Sequence, residues 1–160
     1  MPLYAVSCRA IRNGADSKPH MATPSMQAGK PSKVVVGCLD GQRLKGFVFN
    51  FSSLRGQFRI FPEETSLHHL GEDVKLEKVK AIFFVKDLAG HREHHDSYVV
   101  QKCAHGRKIE VTFQDGEKIA GMTETYHPES VGFFISPADP ECNNTRIFVV
   151  SKNVREVKLL

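Results

Sequence analysis

The sequence predicts an all-β protein: two tandem small five-stranded barrels after a disordered N-terminal tail. Three observations carry that prediction. Short segments alternate apolar and polar residues with a period of two. Asp-Gly pairs punctuate them. The segment 108–160 also repeats the segment 33–85 at a constant offset, without gaps.

Residues 1–32 include "NGADSKPHMATPSMQAGKPS", rich in small residues, Pro, Gly and Lys and without an apolar period. Such a segment cannot bury enough surface to offset its ordering entropy, so it is expected to be disordered. Met21 and Met26 are alternative start positions within it.

The ungapped alignment of 33–85 with 108–160 gives ten identities in 53 positions, where unrelated sequences would give about three. Asp40/Asp115, Gly41/Gly116, Gly46/Gly121, Phe58/Phe133, Ile60/Ile135, Pro62/Pro137 and Val74/Val149 are among them. Each copy is expected to be one small barrel, at 33–86 and 106–160, joined by a His-rich linker at 87–105.

The second copy shows the elements most clearly. Ile109, Val111 and Phe113 alternate with Glu110, Thr112 and Gln114, the signature of a half-buried strand. Asp115-Gly116 is a hairpin turn, with Gly supplying positive φ. "EKIAGMTETY" follows as a second strand, which Gly121 bends. "GFFISP" is a third strand ended by Pro137, and "RIFVV" a fourth. In "SKNVREVKLL" the three-residue spacing of Val154 and Val157 predicts one helical turn before a short last strand. Closing five short strands into a barrel would remove the exposed edges.

"VTFQDGEKIAG" resembles the strand–turn–strand opening of Sm-like and SH3-like barrels, and "VVSKNVREV" resembles their closing segment. The resemblance implies a small-barrel fold. In Sm-type RNA binders the closing segment carries a basic residue that contacts bases, which here implies Lys152 and Asn153. "GFFISPADPECNNTRIFV", at 132–149, resembles an uncharacterised bacterial domain family with the pattern GFF-x-x-P-x-DP-x-x-NN. That match implies bacterial relatives and no particular activity.

Composition narrows the function classes. The chain has 160 residues, 41% of them hydrophobic and 25% charged, and a net charge of +4. That mild excess suits either a solvated surface or an acidic partner. No apolar run reaches membrane-spanning length, and the start lacks a continuous apolar core of the kind a secretory signal needs, so neither a membrane nor export is expected. Cys8, Cys38, Cys103 and Cys142 form no C-x-x-C pair, which suits a reducing cytoplasm.

No catalytic, cofactor or metal site is expected. His91, His94, His95, Cys103 and His105 contain ligand types for zinc but not paired ligands at tight, repeated spacing, and read as a solvated connector. Asp40 and Asp115 are explained by their turns. Asp139, Glu141, Asn143 and Asn144 read as loop-capping residues. Ser52, Ser53 and His127 form no nucleophile constellation.

The contrast between the copies points to binding. Val35 stands where the second copy has Glu110, Leu39 where it has Gln114, Phe49 where it has Glu124, and Phe47 where it has Met122. An apolar outer face at Val35, Leu39, Phe47 and Phe49 needs a cover. The second barrel, a second copy of the chain or a partner protein could supply it. The expected function is therefore a non-enzymatic bacterial binding or regulatory module acting through protein surfaces. The alternative is RNA or DNA binding through Lys102, Arg107, Lys108, Lys152 and Asn153.

Overall fold

The computed structural model describes residues 29–62, 64, 71–90, 105–137, 139 and 141–160. The expectations for residues 1–28, and for His91, His94, His95, Lys102 and Cys103, lie outside the described residues.

The all-β class is what the described residues form. The first half contributes β1 (Ser32–Cys38), β2 (Arg43–Val48), β3 (Gln57–Ile60), β4 (Glu72–Lys75) and β5 (Val79–Val85). The second contributes β6 (Arg107–Phe113), β7 (Lys118–Thr123), β8 (Gly132–Pro137), β9 (Asn144–Val150) and β10 (Val154–Leu159). Single 3-10 turns lie at Ser53–Arg55, Leu76–Lys78 and Ser151–Asn153. The helical turn expected at Val154 and Val157 therefore falls just before them, and both valines belong to β10.

The Asp-Gly hairpins form as expected. Gly41 and Gly116 both have φ of 87°. The Asp40 and Asp115 carboxylates accept the backbone N–H groups of Gln42 and Glu117 at 2.9 and 3.0 Å. Gly46 and Gly121 mark close crossings. A Cβ on Gly46 would overlap the Phe61 carbonyl oxygen, and one on Gly121 the Ser136 carbonyl oxygen. Phe47 bridges to Phe61, and Met122 pairs with Ser136. Glycine at each position lets β2 and β7 bend under the strand that follows.

The ladders differ from two closed five-stranded barrels. Eight strands form one open antiparallel sheet in the order β10-β6-β7-β8-β9-β5-β1-β2, and β3 and β4 form a separate pair. The sheet is continuous because β5 pairs with β1 on one side and with β9 on the other. Closure would have paired β5 with β4 and β10 with β9; instead β5 and β9 pair with each other.

Their sequences suit that place. "VKAIFFV" and "RIFVV" are nearly continuous apolar runs, as expected of strands covered on both faces. Ile82 and Phe84 of β5, with Phe148 and Val150 of β9, enter one core with Val34, Val36 and Phe58. Ala81 of β5, with Ile147 and Val149 of β9, enters a second core with Ile109, Val111 and Phe133, against which Phe83 packs. Each large apolar side chain fully buried in this way contributes about 1.5–3 kcal/mol, so the β5–β9 ladder ties both halves into one body.

Candidate interaction surfaces

A polar latch closes the β5–β9 junction on one side. Lys80 of β5 is buried, and its ammonium lies 4.6 Å from the centroid of the Phe113 ring. It bonds the Asp115 carboxylate at 2.5 Å and also pairs with Glu117, both in the β6–β7 hairpin. Burial alone would lower the Lys80 pKa. The hydrogen bonds to Asp115 and Glu117 outweigh it, so the pKa stands above its ordinary value. The Asp115 carboxyl is held low, first by Lys80 and then by the Glu117 backbone N–H. At the other end of the junction the Asn143 side chain donates to the Asp87 carbonyl at 2.8 Å and accepts the Asp87 N–H at 3.0 Å.

In the repeat β4 is the counterpart of 147–150, the end of β9, yet it has a different neighbourhood. β9 is paired on both sides, with β8 and β5. Among the described residues β4 pairs only with β3. Beside it runs a cleft of about 550 Å³, lined by Cys38, Leu39, Asp40, Glu72, Asp73 and Glu77 among others. Leu39 is 51% exposed there. The cleft carries a small negative excess, with Asp40, Glu72, Asp73 and Glu77 set against Lys75 and Lys78; the Cys38 thiol pKa is raised by burial first and then by the charges of Asp40 and Glu72. Asp73 is already engaged, held bidentately by Arg59 at 2.7 and 2.8 Å.

The four residues expected to form one apolar outer face do not share one environment. Phe47 is buried, with its backbone N–H and carbonyl both bonded to Phe61. Phe49 is half-buried and stacks edge-on to Phe61 at 5.4 Å. Val35 is half-buried on β1 between Lys45 and Phe83. Only Leu39 of the four is exposed. The alternation had placed Phe47 outward, but the bend at Gly46 breaks the period: Gly46, Phe47 and Val48 are buried in succession.

The nucleic-acid candidates are also dispersed. Arg107 and Lys108 are exposed at the start of β6. Lys152 is exposed and lines a cleft of about 510 Å³ with Arg55 and Lys75. Asn153 is buried, and its side chain donates to the Val79 carbonyl at 2.7 Å. A further basic cluster, not anticipated from the sequence, surrounds the start of β1. Lys30, Lys33, Lys86 and Arg146 line a cleft of about 570 Å³ there. Arg146 lies over the rings of Phe84 and Phe134 at 4.3 and 4.9 Å.

Neither Lys80 nor the β4 edge was anticipated from the sequence. The signal for Lys80 was a lone charge inside an apolar run. The signal for β4 was "EDVK", mostly charged where its counterpart "IFVV" is apolar.

Among the described residues no helix is long and apolar enough to cross a membrane. A family model described as "Family of unknown function (DUF6982)" matches residues 20–160. No curated protein and no solved structure matches the chain.

Proposed function

We propose that this chain, which belongs to the family of unknown function DUF6982, is a non-enzymatic binding module working through protein surfaces. It consists on this reading of two tandem units of the Sm-like and SH3-like small-barrel pattern, in a bacterial cytoplasm. Its binding element is the edge of β4 with the acidic cleft beside it. One observation carries the reading: the outer side of β9 receives a strand, whereas β4 offers the corresponding side with no strand among the described residues. An edge of that kind takes an extended segment through main-chain hydrogen bonds, and the flanking cleft selects its side chains. Asp40, Glu72 and Glu77 favour a segment with Lys or Arg at alternate positions.

The test is fluorescence anisotropy with a labelled octapeptide alternating Lys and Val. Binding that weakens on Glu72→Lys supports the reading. No binding at low salt overturns it.

The basic cluster of Lys30, Lys33, Lys86 and Arg146 favours a second reading, RNA or DNA binding, with Arg107, Lys108 and Lys152 as further contacts. Counterion release then requires affinity for a single-stranded oligonucleotide to fall steeply with salt. Affinity that ignores salt removes this reading.

A further inference from the structure

We infer that the strand received by the β4 edge is β10 of a second copy of this chain, so that copies join head to tail. The inference rests on reading β4 as a strand-binding edge and names its partner.

The chain already contains one such joint. β5 lies against β9 antiparallel, with Phe83 opposite Ile147 and Ala81 opposite Val149. In the repeat β10 is the counterpart of β5, and β4 is the counterpart of 147–150 in β9. β10 pairs with β6 on one side and, among the described residues, with nothing on the other. Among the described residues there is therefore one free edge of each kind that the internal joint uses.

The same register between copies sets Lys158 of β10 opposite Glu72 of β4, an opposite-charge pair. The latch is matched in part, since Gln42 and Cys38 stand where Glu117 and Phe113 do. Arg155 is the counterpart of Lys80, and Asp40, with its carboxylate at the same place in a hairpin, is the counterpart of Asp115. Arg155 is exposed, and Asp40 lines the cleft beside β4. Lys75 is a like-charged neighbour of Arg155 in this register and opposes the contact.

Chemistry separates the two joints. Inside the chain the facing residues are mostly apolar and buried. Between chains they are largely charged, so the contact is reversible and screened by salt. Because the two surfaces differ, association through a single contact leaves one free edge at each end. It continues until a ring closes, or runs on as a filament.

The experiment is light-scattering mass of the full chain across protein concentration and salt. The expected result is a mass above the monomer at low salt that rises with concentration and falls as salt is added. Glu72→Lys and Lys158→Glu should each weaken association about tenfold through a like-charge contact. Combining them should restore it, with circular dichroism unchanged throughout. A monomer under every condition, or association indifferent to both reversals, or a combined variant that does not recover, overturns the inference. The Lys-Val octapeptide separates the two failures. If the peptide binds a chain that stays monomeric, the edge reading stands and only the partner is wrong; if neither occurs, both fall.

Discussion

The side-chain amide of Asn153 donates a 2.7 Å hydrogen bond to the carbonyl of Val79, 74 residues earlier in the chain, inside the protein. The bond links the turn that precedes β10 to the start of β5, and so crosses from one half to the other. Asn153→Ala leaves a buried carbonyl without that donor and should cost about 1–3 kcal/mol. Urea unfolding should show a lower midpoint with an unchanged slope.

Lys80→Met tests the latch. Its carboxylate partners are about half-exposed, at 59% and 46%, so the loss should be modest, about 1–2 kcal/mol. The pH dependence has a definite sign. The lowered Asp115 pKa gives stability that is present above 3.8 and lost as pH falls through the folded value. The raised Lys80 pKa gives stability that is present below 10.5 and lost as pH rises through the folded value. The difference between wild type and variant should therefore be level between these limits and shrink beyond both, as followed by thermal melts across pH.

Gly121→Val should destabilise by about 3 kcal/mol, since its Cβ would meet the Ser136 carbonyl and the Ile135 side chain. Gly46→Val should cost a similar amount at the Phe61 carbonyl. Gly41→Ala is a different case: nothing lies within 4 Å, and only its φ of 87° resists the change. Denaturant midpoints of the three variants should separate crowding from backbone strain.

Leu39→Glu and Phe47→Glu should behave differently although the sequence grouped them. Leu39 is 51% exposed, so its replacement should shift stability by no more than about 0.5 kcal/mol. Phe47 is 8% exposed, and a carboxylate there should unfold the first half or force its own protonation. Near-ultraviolet circular dichroism would tell the two apart.

These cases also show what the sequence made legible. Alternation identified the strand of Ile109, Val111 and Phe113, and Asp-Gly identified both hairpins, because each signal is local. The glycine at 121 announced a bend, because only a residue without Cβ allows that crossing. The joint between the halves was hidden. The run "VKAIFFV" reads the same whether its second neighbour belongs to its own barrel or to the far half of the chain. Face assignment failed at Phe47 for a related reason: period two predicts a side only along an unbent strand. Of the candidate site, the position of Leu39 was legible. The acidic edge beside it was not, since a charged short strand reads as an ordinary solvated surface.

The ladder between β5 and β9 has a consequence for covalent continuity. The chain leaves β5 at Val85 and returns at β6, and everything described that holds the halves together lies outside the segment between Gly90 and His105. A single backbone cut in that segment would sever the polypeptide without touching the ladder, the Lys80 latch or the Asn153 bond. The two fragments should remain one particle in solution and separate only when denatured. Expressed apart, each would carry an apolar strand wanting its neighbour, and so the protein contains a natural place to be split into complementing pieces.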